Sequence, residues 1–465
     1  MSRSITIGGA AKTALALRSL IGDKGQDAGA QGDPLMEMFD QFRGVIGIAL
    51  LVALAWGLSE DRGNRPTWQW IAGALGLQAV LAILIVRVPF VWDVVTLANE
   101  GVAAIERATL DGSSYMFGYL GGAPLPFELK EGVDPPLIIA FQILPLVIVF
   151  SALAALLWHW GVLRWAVNGL SFLLQKTLKV SGVVGLSGGA NMFLGVVESP
   201  LAVRAYFVTM SRSELFQVMV LAMATISGAI LILYATTLSQ TVPDAVGHMI
   251  SASLVSLPAA LLIAKLMVPA KEDEAGTDQH EDEEPGLKYE SSIDAIIKGT
   301  MDGMQLFLAV IAVIIVVFAL VSLADQILAL LPLVGDEPIT LKRVFGWLFS
   351  PLMWLIGVPW DQAQAAGGLM GTKAILNEYV AYLELAALPE GTFDARSLLI
   401  VTYALCGVAN LASVGLLVST IGTLCPERRA EVAGLGIKSW VAGNIATAMT
   451  GAWIGLITFG SFGAG

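Results

Sequence analysis

Apolar residues run through this chain in long blocks, separated by short polar turns and by two stretches in which glycines and single polar residues interrupt the pattern. A helix needs about 20 apolar residues to cross a bilayer. Blocks at 45–58 (extended by the helix before it), 68–88, 137–167, 214–238, 245–268, 304–334, 397–424 and 432–459 therefore predict eight spans. From Val91 the pattern changes: Val91, Val94, Val95, Ala98, Val102 and Ile105 recur at helical spacing, with Asp93, Glu100, Glu106 and Arg107 between them. One apolar face of that kind predicts either a helix along the membrane surface or a solvent-facing helix packed on the protein. A second surface helix is expected at 291–304.

The first interrupted stretch, 179–210, carries Gly182, Gly185, Gly188, Gly189 and Gly195, with Asn191 and Glu198 at its polar middle. The second is Gly367-Gly-Leu-Met-Gly371-Thr-Lys-Ala-Ile-Leu-Asn377-Glu378-Tyr379. Both read as re-entrant hairpins that enter the bilayer, turn at the glycines and leave on the same side. Non-helical backbone survives at that depth only inside protein or beside a water-filled cavity. A carboxylate there costs about 2.5–3.5 kcal/mol on insertion scales, so Glu198 and Glu378 are expected to face an interior chamber and to have a function.

Each hairpin precedes a span with a polar middle, Thr225-Ile-Ser-Gly228 and Asn410-Leu-Ala-Ser413. The intervals are 27 residues from Glu198 to Thr225 and 32 from Glu378 to Asn410. Paired broken segments in two halves of a chain point to an inverted-repeat transporter with its site at the midplane. Polar contacts between packed helices would produce any one such cluster; four in this order favour a transport site.

Composition agrees. Of 465 residues, 56% are hydrophobic and 14% charged, with mean hydropathy +0.75, whereas soluble domains carry about 25% charge. The formal charge of −12 is partly local, because eight acidic residues fall between Glu272 and Glu284. That run reads as a solvated loop and argues against nucleic-acid binding. Cys406 and Cys425 suggest neither a disulfide framework nor a metal site, and His159, His248 and His280 are scattered. An intramembrane hydrolase using Glu198 and Glu378 lacks a nucleophile constellation or a metal-binding His-Glu-x-x-His. Positive charge at Arg164, Lys176, Lys179, Arg204, Arg212, Lys265, Lys271, Arg428 and Arg429 places those regions with the 59–66 loop in the cytoplasm, and both termini outside. Arg3, Lys12, Arg18, Lys24 and Arg43 dissent.

Four motifs carry a resemblance. Asn191-Met-Phe-Leu-Gly195-Val-Val-Glu198-Ser-Pro-Leu, Gly357-Val-Pro-Trp360, Leu376-Asn-Glu378-Tyr-Val-Ala and Cys406-Gly-Val-Ala-Asn410-Leu-Ala-Ser413 are similar, in order and spacing, to those of the concentrative nucleoside transporters. The resemblance implies an all-α polytopic protein, a homotrimer in the bacterial inner membrane, that imports nucleosides on an ion gradient by alternating access. It implies sodium (Na+) as the coupling ion, with a proton as the alternative, no organic cofactor and no enzymatic activity. A substrate-gated channel or receptor is the remaining class.

The segments it implies are a polar tail at 1–42, scaffold helices at 43–170, transport halves at 171–269 and 336–465, and a loop with a scaffold span at 270–335. Glu378 would accept hydrogen bonds from ribose hydroxyls, flanked by Asn377. Asn410 and Ser413 would contact the sugar, and Ile230 would pack on the base. Sodium would be held by the side chains of Asn191 and Thr225 and the carbonyls of Leu194 and Ile226. Beside Glu198 the family commonly has glutamine and threonine that bind the nucleobase; here Val196 and Val197 stand in their place. Valine donates no hydrogen bond, so base recognition falls to Ser199, to water, or to a different selectivity.

Overall fold

An apolar chain in lipid must satisfy its own backbone polar groups, which favours helices, and the described residues form almost nothing else. This computed structural model describes residues 34–130, 136–196, 198–270 and 288–458, the side chains of 34–41, 86–87, 89–98 and 198 excepted. Two compact units divide the chain, Met1–Phe42 and Arg43–Gly465; the second is the subject below. Most of the tail at 1–42 and of the acidic loop lies outside the described residues.

The helices are α1 (Pro34–Gly57), α2 (Trp68–Arg87), α3 (Pro89–Phe117), α4 (Pro145–His159), α5 (Val162–Leu178), α6 (Gly182–Asn191) and α7 (Glu198–Ala202). They continue as α8 (Arg212–Ala224), α9 (Gly228–Leu238), α10 (Ala245–Met267), α11 (Ser292–Leu328), α12 (Leu341–Leu355) and α13 (Trp360–Ile375). The last are α14 (Glu378–Ala386), α15 (Ala395–Leu405), α16 (Leu411–Leu424) and α17 (Arg429–Ile457). From α4 to α10 and again from α11 to α17 the chain repeats one order: a span, a helix against which the next one folds back, two short arms, a span in two pieces and a long closing helix.

Among the described residues six helices are long and apolar enough to cross a membrane, or seven if the bent pair α12–α13, angled at 118°, counts as one span. Eight were expected. The shortfall lies at the first block, whose apolar part is Phe42–Gly57, and at 397–424, which is cut into α15 and α16.

Three boundaries differ from the sequence reading. The block at 137–167 ends at His159, because Gly161 takes a left-handed φ of +82° and caps the start of a separate helix, α5. The expected surface helix at 291–304 is continuous with the following span as the 37-residue α11. Most of the hairpin glycines lie inside helices; of those named above, Gly195 alone falls in a break. Helix α13 runs unbroken through Gly367, Gly368 and Gly371, and α6 through Gly185, Gly188 and Gly189. The helices break later, at Leu376–Asn377 and after Asn191 at residues 192–196.

These glycines instead let helices touch. A methyl on Gly367 would lie 2.7 Å from the Gly346 carbonyl oxygen and from the Ser350 nitrogen of α12; one on Gly189 would lie 2.5 Å from the Val167 carbonyl oxygen of α5. Small-residue seams allow this close backbone approach where lipid supplies no hydrophobic drive between helices.

At the centre, α8 and α10 are almost wholly buried. Helix α11 is the opposite case: its buried residues are Ala295, Gly299, Gly303 and Phe307, one every four positions, packed on α4. Leu306, Val310, Ile311 and Ile314 are partly covered, and much of its remaining apolar surface, including Ile293, Leu308, Ile315, Val316 and Leu320, is exposed in the single chain.

At one end of the bundle, charges tie separate elements together. Glu60 accepts from Arg212 at 2.8 and 3.0 Å and from Lys438 at 2.5 Å, and Glu431 pairs with both Arg212 and Arg428. The Arg212 guanidinium, with Lys438 behind it, holds the Glu60 carboxyl at about 2, well below its usual 4.5. Helix α8 also opens on a capping box between Ser211 and Glu214, a device that contributes on the order of 1 kcal/mol.

Candidate functional site

Both spans with polar middles are broken there. Between α8 and α9 the chain is extended at Thr225 and Ser227, and between α15 and α16 it stays non-helical over 406–410. The breaks meet: the Val408 N–H donates to the Thr225 carbonyl at 3.4 Å. Gly407 allows the approach, since a methyl there would lie 3.0 Å from the Ala224 carbonyl oxygen. Unwound backbone gathered in this way exposes carbonyls and half-helix ends to the space beside it, the usual construction of a transport site.

That space is a cavity of about 220 Å³. Phe193, Leu194, Gly195 and Val196 from the break after α6 line it, with Thr225, Ser227 and Ile230 from the first broken span. Glu378, Val408 and Ser413 come from the second half. The α4–α11 pair lines it too, through residues including Ser151, Trp158, Asp302 and Leu306. The lining is mainly apolar with a few polar groups, as small-molecule sites are.

Glu378 begins α14 and is buried. Its Oε1 accepts from the Tyr234 hydroxyl at 2.6 Å and its Oε2 from Asn410 Nδ2 at 2.8 Å. Asn410 also caps α16, its Oδ1 accepting from the Ser413 N–H at 2.8 Å. One amide therefore fixes both the carboxylate and the start of the half-helix. A carboxylate has about four lone-pair sites, so acceptor capacity remains for a ligand's hydroxyl.

The expected sugar and base contacts Glu378, Ser413, Ile230 and Val196 are brought to the same cavity, with Asn410 bonded directly to Glu378. Asn377 is not on the cavity wall; its side chain caps α14 by accepting from the Val380 N–H at 2.8 Å. Val197 and the Glu198 side chain lie outside the described residues. Ser199, considered above for base recognition, is fully buried and donates to Asn191 Oδ1 at 2.8 Å. Its hydroxyl is committed to a neighbour.

The expected cation residues also converge. Asn191 Nδ2 donates to the Thr225 hydroxyl and, at 2.7 Å, to the Leu221 carbonyl. Asn191, Leu194 and Thr225 border the cavity, and Ile226, the next residue, anchors its N–H on Ser253 Oγ at 3.3 Å. Amide, hydroxyl and carbonyl oxygens are the neutral, hard donors that suit an alkali cation. Among the described residues no group of three His, Cys, Asp or Glu side chains is placed to hold a transition metal.

Sequence reasoning missed Tyr234 and Asp302. Tyr234 follows Ile230 by four residues, one helical turn, and so shares its face; that spacing was the available signal. Its ring stacks on Tyr379 at 5.5 Å and leans on Tyr382 at 5.1 Å. Asp302 lies in the charged first part of α11, with Asp294 and Lys298, and lines the same cavity as Glu378, and nothing local in the sequence pairs the two.

Two broken spans, two pairs of interrupted helical arms and a buried carboxylate in a cavity shared between helix groups fit a polytopic membrane transporter. Family models described as Na+ dependent nucleoside transporter N-terminus and C-terminus match residues 46–120 and 248–455, and one described as nucleoside recognition matches 140–241. The chain is 30% identical to the nucleoside permease NupC of Helicobacter pylori, over 90% of its own length and 98% of that protein. It is 35% identical to the transporter CNTnw in an inward-facing substrate-bound state, with a TM-score of 0.78 covering 90% of this chain and 99% of that one. An outward-facing CNTnw variant matches with the same TM-score, at 33% identity and over 98% of its length. This chain belongs to the concentrative nucleoside transporter family, and it is a transporter and not an enzyme.

Proposed function

We propose that this chain is a sodium-coupled symporter that carries nucleosides inward across a bacterial inner membrane by alternating access. The observation that carries the proposal is the Glu378 carboxylate, held between Tyr234 and Asn410 in the cavity wall with acceptor capacity left for a ribose hydroxyl. Ser413 adds a hydroxyl beside it, and Ile230 offers an apolar surface for the base. Val196 gives the base no hydrogen bond, so selectivity among bases rests on shape, on stacking and on water.

Asn191, Thr225, Leu194 and Ile226 are assigned to the sodium ion, a co-substrate. Each inward sodium gains about 2.3 kcal/mol per 100 mV, and about 1.4 kcal/mol corresponds to a decade of accumulation. The moving parts are assigned to 171–269 and 336–465, against a scaffold containing α4 and α11. The cavity supports that division, because it lies between the α4–α11 pair and the hairpin elements. The uncovered apolar face of α11 is consistent with a homotrimer embedded in lipid.

Proteoliposome uptake of a nucleoside panel tests the reading. Uptake above equilibrium is expected with an inward sodium gradient at fixed pH, and Glu378→Ala should abolish it while the protein stays folded. Accumulation driven only by a pH gradient would assign the coupling to protons. Uptake that never exceeds equilibrium would make the chain a channel, and undiminished uptake by Glu378→Ala would remove that carboxylate from the site.

A further inference from the structure

One charge inside the bundle has no part in the mechanism above. Lys373, near the end of α13, is 0% exposed, although lysine is almost never fully buried unless paired. Among the described residues no carboxylate lies within ion-pair distance. Nζ instead donates to Thr447 Oγ1 at 2.8 Å, Asn444 Oδ1 at 2.9 Å and the Ala404 carbonyl at 3.5 Å. Hydroxyl, amide and backbone carbonyl are the same three donor types that meet at Asn191 and Thr225 in the first half.

The repeat relates the two places. Ser256 of α10 and Thr450 of α17 touch at 2.9 Å, marking matched points on the two long closing helices. Three residues before each stand Ser253 and Thr447. Ser253 supports the first break by accepting from the Ile226 N–H, and Thr447 accepts from Lys373 beside the second. Thr225 and Cys406 each close the first piece of a broken span. Asn191 and Lys373 each project from the last turn of a hairpin's first arm.

We propose that Lys373 is a tethered cation: its ammonium fills, in the second half, the position that a free cation takes in the first. This rests on the cation-coupling reading above and extends it. The second hairpin is then locked to its broken span and to α17 at all times, so Glu378, five residues further on, is positioned before any ion arrives. The first hairpin alone waits for its ion, and one mobile charge moves per solute where the repeat has places for two.

Hydrogen exchange on the wild-type protein is the first test. Sodium should slow exchange at 182–196 and leave 360–386 unchanged; equal protection of both hairpins would overturn the proposal. The second test compares Lys373→Gln and Lys373→Ala. With a neutral oxygen in place of the ammonium, Lys373→Gln should admit a second sodium, raising the Hill coefficient of sodium activation from about one towards two. It should also gain a sodium-dependent rise in Tm beyond that of wild type. Lys373→Ala should lose uptake at least tenfold and regain stability and uptake with methylammonium but not with tetramethylammonium. Sodium activation in Lys373→Gln identical to wild type, together with no amine rescue, would overturn the proposal. If wild-type uptake proves indifferent to sodium, the sodium-coupling reading fails by itself, and amine rescue of the Lys373→Ala Tm still decides whether a cation is needed at this place.

Discussion

Tyr234 and Glu378 stand 144 positions apart and are joined by a 2.6 Å hydrogen bond, so the first repeat's broken span holds the second repeat's carboxylate. The tyrosine is buried, and its ring is stacked between aromatic neighbours of α14, leaving the hydroxyl no solvent alternative. The two halves of the chain thus build one site between them.

Tyr234→Phe tests that relationship with little change of volume. A hydrogen bond to a charged group contributes about 1.5–3 kcal/mol, and the lost donor leaves Asn410 without the hydroxyl that faces it across the Glu378 carboxylate. Nucleoside KM should rise about tenfold or more, with Tm nearly unchanged. An unaltered KM would show that the carboxylate is oriented without Tyr234.

The valines of the first hairpin make a gain-of-function prediction. Val196 faces the cavity without a donor or acceptor on its side chain. Val196→Gln combined with Val197→Thr should raise affinity for pyrimidine nucleosides, read as a lower uptake KM for uridine than for a purine nucleoside. No change in that ratio would mean that these positions do not meet the base.

Most of the fold was legible because hydropathy reports burial in lipid directly, and the polar middles of two spans marked the breaks. The glycines of 182–189 and 367–371 misled, because a glycine that bends a chain and a glycine that admits a neighbouring helix leave the same trace. The partner that explains Gly367 is Gly346, in another helix, and no local pattern reveals it. Glu378, Asn410 and Ser413 stand in compact motifs that can be read locally, whereas Ile230 was expected only from the resemblance. Tyr234 was not, since an aromatic residue in an apolar helix reads as core, and Lys373 drew no separate notice because burial cannot be seen in a string.

The seam reading of the glycines is open to measurement. Gly367→Ala places a methyl 2.7 Å from the α12 backbone, which cannot swing aside as a side chain would. Overpacking of this kind costs about 1–3 kcal/mol, so Tm should fall by several degrees. Gly434→Ala in α17 is the control, because a methyl there meets nothing within 4 Å and alanine favours a helix over glycine by about 1 kcal/mol. Its Tm should hold or rise. Equal losses in both would count against the seam.

Glu60 gives the molecule an acid-sensitive clasp outside the membrane. Its carboxyl titrates at about 2 in the folded protein against 4.5 for the unperturbed group. A depressed folded value means that the pairing with Arg212 and Lys438 contributes its full stabilisation above about pH 4.5 and loses it as pH falls towards 2. The group is partly exposed and screened by salt, so the effect is modest. Wild-type Tm should fall more steeply over that window than the Tm of Glu60→Gln, which has no such carboxyl to protonate. At neutral pH the variant should be slightly less stable than wild type, and the two curves should converge near pH 2. Parallel curves across the window would show that the clasp is not coupled to folding, since a group that binds protons equally in both states gives no pH dependence.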